Sequence, residues 1–252
     1  MTRRVWVAGS GVIGSLFGGH LAQVADVSVL VRRPEHARAL NEQGLQVSGR
    51  ADLHARVTAS TDVEALPEPE LVLVCCKGTD LDAVGAVLAG HATAATLMTV
   101  QNGLGADEIL ARHGGWPLLA SVTFMSGTRH SDTSVEYVLD TATWIGPGRS
   151  TTGDDARAVA GLLRSAGLKA EGFDDLRPMQ WSKLIFNATV NAVAALTGLP
   201  HEPRFARRER LEVGALAGED RELGVGQRVG VGGCVELRRE VAAARDAEPM
   251  LA

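Results

Sequence analysis

The sequence predicts an α/β chain: a doubly wound, mostly parallel sheet over residues 1–173, followed by a mostly helical C-terminal domain over 174–252 that reads as truncated. Three observations predict it. The glycine turn Gly9-Ser10-Gly11-Val12-Ile13-Gly14 stands between an apolar strand-like run and a helical stretch. Apolar runs and helical segments then alternate, the pattern of a parallel sheet covered on both faces. Beyond Phe205 the composition changes abruptly.

Val5 to Ala8 forms the first apolar run, and after the glycines Leu16, Phe17 and Leu21 recur at helical spacing. Val27 to Val31 reads as a second strand, and Pro34 opens a helix through Leu40, since proline suits the first turn. A βαβ unit is thus complete within about thirty residues. Strands at Leu71 to Cys76, Leu97 to Gln101 and Leu118 to Phe124 alternate with helices at Leu81 to Leu88 and Ala106 to Arg112. Val135 to Leu139 and Ala142 to Ile145 then follow each other directly, which predicts an antiparallel addition at the sheet edge. Ala156 to Ala166 is helical, and a further helix runs from about Leu176 to Leu196, tolerating Pro178 only in its first turn. Residues 206–252 contain no aromatic residue and no Ser, Thr, Asn, Lys, His or Ile. Glycine pairs break helical periodicity there and leave only Val235 to Arg245 as a helix.

Bulk properties exclude several classes. A net charge of -5 without a basic run argues against a nucleic-acid partner, whose phosphates need clustered Lys and Arg. No apolar segment is long enough for a membrane span or signal h-region, so a soluble, cytoplasmic chain is expected. Cys75 and Cys76 are adjacent within an apolar run and read as buried small hydrophobes. The seven histidines include no HxxxH or HExxH pair, so no metal site is expected.

Gly9-x-Gly11-x-x-Gly14 gains meaning from its context, because it leaves a strand and opens a helix. Gly9 permits the tight turn, Gly11 lets the backbone approach a pyrophosphate, and Gly14 lets helix and strand pack closely. Ser10, Val12 and Ile13 complete this Rossmann-type phosphate loop at a helix N-terminus. The second strand ends in Val31-Arg32-Arg33, with no acid to accept from a ribose 2′-hydroxyl. Two guanidiniums suit a 2′-phosphate, so NADP(H) is predicted, held by Arg32 or Arg33; the plainer alternative is a pair of solvated loop arginines.

Only three lysines (Lys77, Lys169, Lys183) stand against twenty-two arginines, and there are four asparagines. A retained lysine therefore points to a need for a compact ammonium with a tunable pKa. Lys183, Asn187 and Asn191 fall at i, i+4 and i+8, along one helix face with about 40° of drift per step. A lysine there can give a proton to a developing alkoxide, while the amides suit a hydroxyl or carboxylate; a merely solvated stripe has the same spacing. Asn102, after Gln101, and Lys77 end strands at the edge where open α/β sheets bind ligands.

These residues resemble the ketopantoate reductase family (2-dehydropantoate 2-reductase). The resemblance rests on GSGVIG, Val-Arg-Arg, Cys-Cys-Lys77, Val-Gln-Asn102-Gly, the Ile145-Gly146-Pro147-Gly148 turn and Trp181-Ser-Lys183-Leu-Ile-Phe-Asn187-Ala-Thr-Val-Asn191, over roughly residues 5–200. It implies NADPH-dependent reduction of ketopantoate to D-pantoate on the route to pantothenate and coenzyme A. It makes Lys183 the catalytic proton donor, Asn187 and Asn191 substrate-binding amides, and Asn102 a contact of substrate and cofactor. Lys77 and Arg32 become NADPH contacts, with Arg33 kept beside them. The substrate is then a small 2-oxoacid; a homodimer stays open as the assembly.

The family's C-terminal domain carries a substrate-binding Ser and a Glu, and neither is recognisable beyond residue 205. The composition shift suggests a reading-frame change near Phe205 and a shortened substrate domain. A short-chain dehydrogenase is excluded, since Tyr137, the only tyrosine, is followed four places on by Thr141 rather than lysine. Another 2-oxoacid or a 3-hydroxyacid dehydrogenase is the enzymatic alternative, and a non-catalytic NADPH-binding remnant is the alternative from another class.

Overall fold

The computed structural model describes residues 3–197. Expectations placed on residues 206–252, including the Val235 to Arg245 helix and the frame change, lie outside the described residues. The chain divides into two compact units, Met1–Leu184 and Ile185–Ala252.

The first unit opens with β1 (Arg4–Ala8), α1 (Val12–Leu21), β2 (Asp26–Leu30) and α2 (Pro34–Gln43). Three short strands follow, β3 (Leu45–Gly49), β4 (Leu53–Ala55) and β5 (Thr58–Ser60). Then come β6 (Leu71–Val74), α3 (Leu81–Leu88), β7 (Thr96–Thr99), α4 (Ala106–Ala111) and β8 (Leu118–Thr123). The remainder is β9 (Ser126–Arg129), β10 (Ser134–Leu139), β11 (Thr143–Pro147), α5 (Gly153–Ser165), β12 (Ala170–Gly172) and α6 (Arg177–Thr197).

The main sheet has the order β12-β11-β8-β7-β6-β1-β2-β5. It is parallel throughout except that β11 runs antiparallel to β8. Alternation along β1 divides the core between the two faces. Val5 and Val7 join Leu16, Phe17 and Leu21 of α1 and Leu163 of α5, whereas Trp6 and Ala8 join Leu81 and Leu88 of α3 and Leu110 of α4. Such a sheet, buried on both sides, is the doubly wound architecture predicted. Each fully buried Leu or Phe contributes roughly 1.5–3 kcal/mol relative to exposure.

The reading of Val135 to Ile145 as a single edge addition is corrected. Of the two runs only β11 enters the main sheet, and it is not the edge strand, because β12 pairs beyond it. β10 instead belongs to a second sheet of order β4-β3-β10-β9, pairing parallel with β3 and antiparallel with β9. This sheet packs on α1, where Gly18 and Gly19 leave room for Leu45 and Val47; a Cβ at Gly19 would stand 2.6 Å from the Val47 side chain. Covered on both sides, α1 is buried from Gly14 to Leu21.

Helix boundaries follow local chemistry. α5 starts at Gly153, three residues before the sequence expectation. A capping box sets that start: Thr152 Oγ1 accepts from the Asp155 amide, and the Thr152 amide donates to Asp155 Oδ2 at 2.8 Å. Pro178 sits in the first turn of α6 as expected. Among the described residues, no helix is long and apolar enough to cross a membrane.

Candidate functional site

Strand order reverses at β1, with β2 on one side and β6 on the other, so the carboxyl ends of these strands form the crevice where such sheets bind ligands. The three fingerprint glycines meet there for different reasons. Gly9 has φ +106° and would bring a Cβ within 2.9 Å of the Cys76 amide nitrogen, so both conformation and close approach require it. A Cβ on Gly14 would collide with the Gly9 carbonyl at 1.9 Å. Around Gly11 a Cβ would meet nothing within 4 Å. The fold itself does not demand glycine there, and the open space is where a ligand backbone would pass. No side chain caps α1, and its first turn holds no acid, so its N-terminal amides suit an anion.

At the tip of β2 the two arginines have separate surroundings. Arg33 is the N-cap residue of α2, and its Nη2 donates to both Asp132 oxygens at 2.7 Å, while Nη1 reaches Glu35 at 3.1 Å. Those acids hold its pKa above the ordinary range, Asp132 foremost. Arg32, with 85% of its side chain exposed, pairs with Asp80 at 3.3 Å. Lys77 is exposed after β6, at the start of the short 3₁₀ turn Gly78–Asp80. Cys75 and Cys76 are half-buried rather than fully enclosed, one against each core cluster. Burial first, then the Asp80 charge, pushes the Cys76 thiol up to about 11.

A second recess opens beside the ends of β7 and β8, about 270 Å³ counted with its open mouth. Asn102 and Gly103 line it from the loop after β7, Ser121 and Thr123 from β8, and Gln180 and Lys183 from α6. Gln101 anchors that loop by donating from Nε2 to the carbonyls of Val74 at 2.8 Å and Cys76 at 3.0 Å. Lys183 Nζ donates to the Thr123 carbonyl and lies 4.6 Å from the centroid of the Phe124 ring. Phe124 stands edge-to-face with Trp144 at 6.1 Å. Burial lowers the pKa of Lys183 to about 8.

Lys183 and Asn102, eighty-one positions apart, are therefore brought to one recess. Asn187 and Asn191 follow on α6 in the second unit. Lys169, the third lysine, is elsewhere, paired with Asp140 at 2.7 Å. The sequence reading missed Gln180 and Thr123. Gln180 precedes Lys183 by three positions on the same helix, so extending the polar stripe upstream would have found it. The Thr123 contribution is a backbone carbonyl, which no side-chain pattern announces.

Fold, phosphate loop and lysine recess together define a Rossmann-type oxidoreductase. A family model described as "Ketopantoate reductase PanE/ApbA" matches residues 5–150. A 2-dehydropantoate 2-reductase of Archaeoglobus fulgidus is 30% identical over 223 residues, covering 88% of this chain and 74% of the relative. One from Pyrococcus horikoshii is 26% identical over 193 residues, 77% of this chain, which spans only 64% of that relative's length. The crystal structure of 2-dehydropantoate 2-reductase from Geobacter metallireducens GS-15 is similar with a TM-score of 0.75 at 25% identity, over 98% of this chain and 84% of that one. The chain belongs to the ketopantoate reductase family.

Proposed function

We propose that this chain catalyses the NADPH-dependent reduction of 2-dehydropantoate to D-pantoate, a step toward pantothenate and coenzyme A. The observation that carries the reading is Lys183 in the recess it shares with Asn102: half-buried, hydrogen-bonded, and lowered to about 8. Residues 1–173 serve as the cofactor domain and 174–252 as the substrate domain. The Gly9–Gly14 loop receives the pyrophosphate, Arg32 the 2′-phosphate, and Lys77 lies alongside. NADPH, when bound, supplies the hydride. Lys183 gives its Nζ proton to the substrate oxygen as it becomes an alkoxide, and its charge stabilises that oxygen beforehand. Asn102, Asn187 and Asn191 orient the 2-oxoacid through amide hydrogen bonds. Fluorescence titration with NADPH, paired with NADPH oxidation on ketopantoate, tests the reading. Binding with turnover supports it; binding without turnover identifies a cofactor-binding remnant instead.

The lowered pKa fixes the direction of the pH dependence. The donor is the ammonium form, populated below about 8 and lost as pH rises through it. Reduction should therefore hold its rate below about pH 8 and fall above it, while oxidation of D-pantoate should rise across the same interval. Profiles of kcat/KM in both directions check this. A break near the ordinary lysine value of 10.5 would show that the recess does not lower Lys183, and a profile with no break in either direction would remove it as the donor.

The arginines should also separate. Arg32→Ala is expected to narrow the preference for NADPH over NADH by about tenfold, the scale of one charge-assisted hydrogen bond. Arg33→Ala should narrow it less, because Asp132 already occupies that guanidinium. Dissociation constants for both cofactors measure the two ratios, and an unchanged ratio in the double variant would take both arginines out of the site.

A further inference from the structure

We propose that Asp80 is a specificity-determining residue: its carboxylate holds Arg32 across the mouth of the nucleotide crevice and competes with a cofactor 2′-phosphate for that guanidinium. The inference rests on the NADPH reading above and deepens it.

Topology brings the pair together. In the order β2-β1-β6, Arg32 follows β2 and Asp80 follows β6, so their 3.3 Å ion pair spans the position of the Gly9 turn that leaves β1. Asp80 ends the 3₁₀ turn that leads into α3, so its backbone is already helical and its side chain makes no cap hydrogen bond. One carboxylate oxygen, Oδ2, meets Arg32, and the other, Oδ1, accepts from the Thr79 hydroxyl at 3.5 Å. Arg32 itself is 85% exposed and has no other ion-pair partner among the described residues.

The energetics favour exchange. An exposed ion pair contributes little, because water screens it and two side chains must be held in place. A phosphate offers a guanidinium two acceptor oxygens and more charge, so it displaces the carboxylate. Asp80 then remains as a like charge beside the phosphate, a cost that a cofactor lacking the phosphate does not meet. The residue thereby reduces the advantage that Arg32 gives to the phosphorylated cofactor.

The test is fluorescence titration of the full chain and its Asp80→Asn variant with NADPH and NADH. At low ionic strength D80N should lower the NADPH dissociation constant by about three- to tenfold and move that of NADH less than about twofold. Raising the salt to about 0.5 M should shrink the gain. Asp80→Ser, which removes the charge with a different side chain, should give the same shift, and melting temperatures confirm that both variants are folded. Unchanged or weaker NADPH binding overturns the proposal. So does a loosening of NADH alone, which would put Asp80 on the ribose hydroxyls. The two readings fail separately: a wild type that binds NADH as tightly as NADPH removes the cofactor preference, while the D80N shift decides the role of Asp80.

Discussion

Replacing Lys183 with alanine is expected to lower turnover by about 10²–10⁴-fold, the range a positioned proton donor supplies, while leaving NADPH affinity within about twofold. The separation follows from geometry. Lys183 lines the recess beside β7 and β8 together with Asn102 and donates to the Thr123 carbonyl, whereas the glycine turn and Arg32 lie at the ends of β1 and β2. Alanine is the best helix former, so α6 is not weakened by propensity. Lys183→Met, which keeps most of the apolar stem against Phe124, should be as inactive and at least as stable. Stopped-flow turnover, NADPH titration and a melting curve on both variants give the answer. Comparable losses of binding and turnover would point to misfolding, and residual activity above about a tenth of wild type would rule out Lys183 as the donor.

What the sequence revealed and what it hid follow from the range of the interactions involved. The β1-α1-β2 unit was legible because its signals are local: an apolar run, glycines at fixed offsets, a helical recurrence of Leu16, Phe17 and Leu21. Lys183 was legible because lysine is rare in an arginine-rich chain. The second sheet was not. β3 and β4 are five and three residues long and partly exposed, and β10 finds β3 across some ninety residues of chain. Alternation in Val135 to Leu139 marks a strand but not its partner. The two arginines show the same limit. Val31-Arg32-Arg33 identifies a cationic strand tip, but Arg33 is tied down by Asp132, ninety-nine positions away, and Arg32 meets Asp80 only because β6 lies two strands from β2. Which arginine is open to a ligand is a tertiary fact.

The fingerprint glycines allow fold and binding to be tested apart. Gly11→Ala adds a methyl where nothing lies within 4 Å, at φ -78°, a backbone any residue adopts. Its stability cost is that of a poorer N-cap, up to about 1 kcal/mol, or roughly 2–4 °C in melting temperature. NADPH affinity should nevertheless fall by at least about tenfold, because the added carbon occupies space that only the pyrophosphate needs. Gly14→Ala should behave differently. Its Cβ would stand 1.9 Å from the Gly9 carbonyl and 3.1 Å from the Cys75 side chain, so α1 must move off β1. A cost of about 3 kcal/mol is expected, a fall of roughly 6–12 °C, with binding lost as a consequence of the shift. Calorimetry and NADPH titration on the two variants distinguish these outcomes. Should Gly11→Ala bind NADPH as wild type does, the pyrophosphate cannot lie over the N-terminus of α1, and the nucleotide site would have to be sought elsewhere on the sheet.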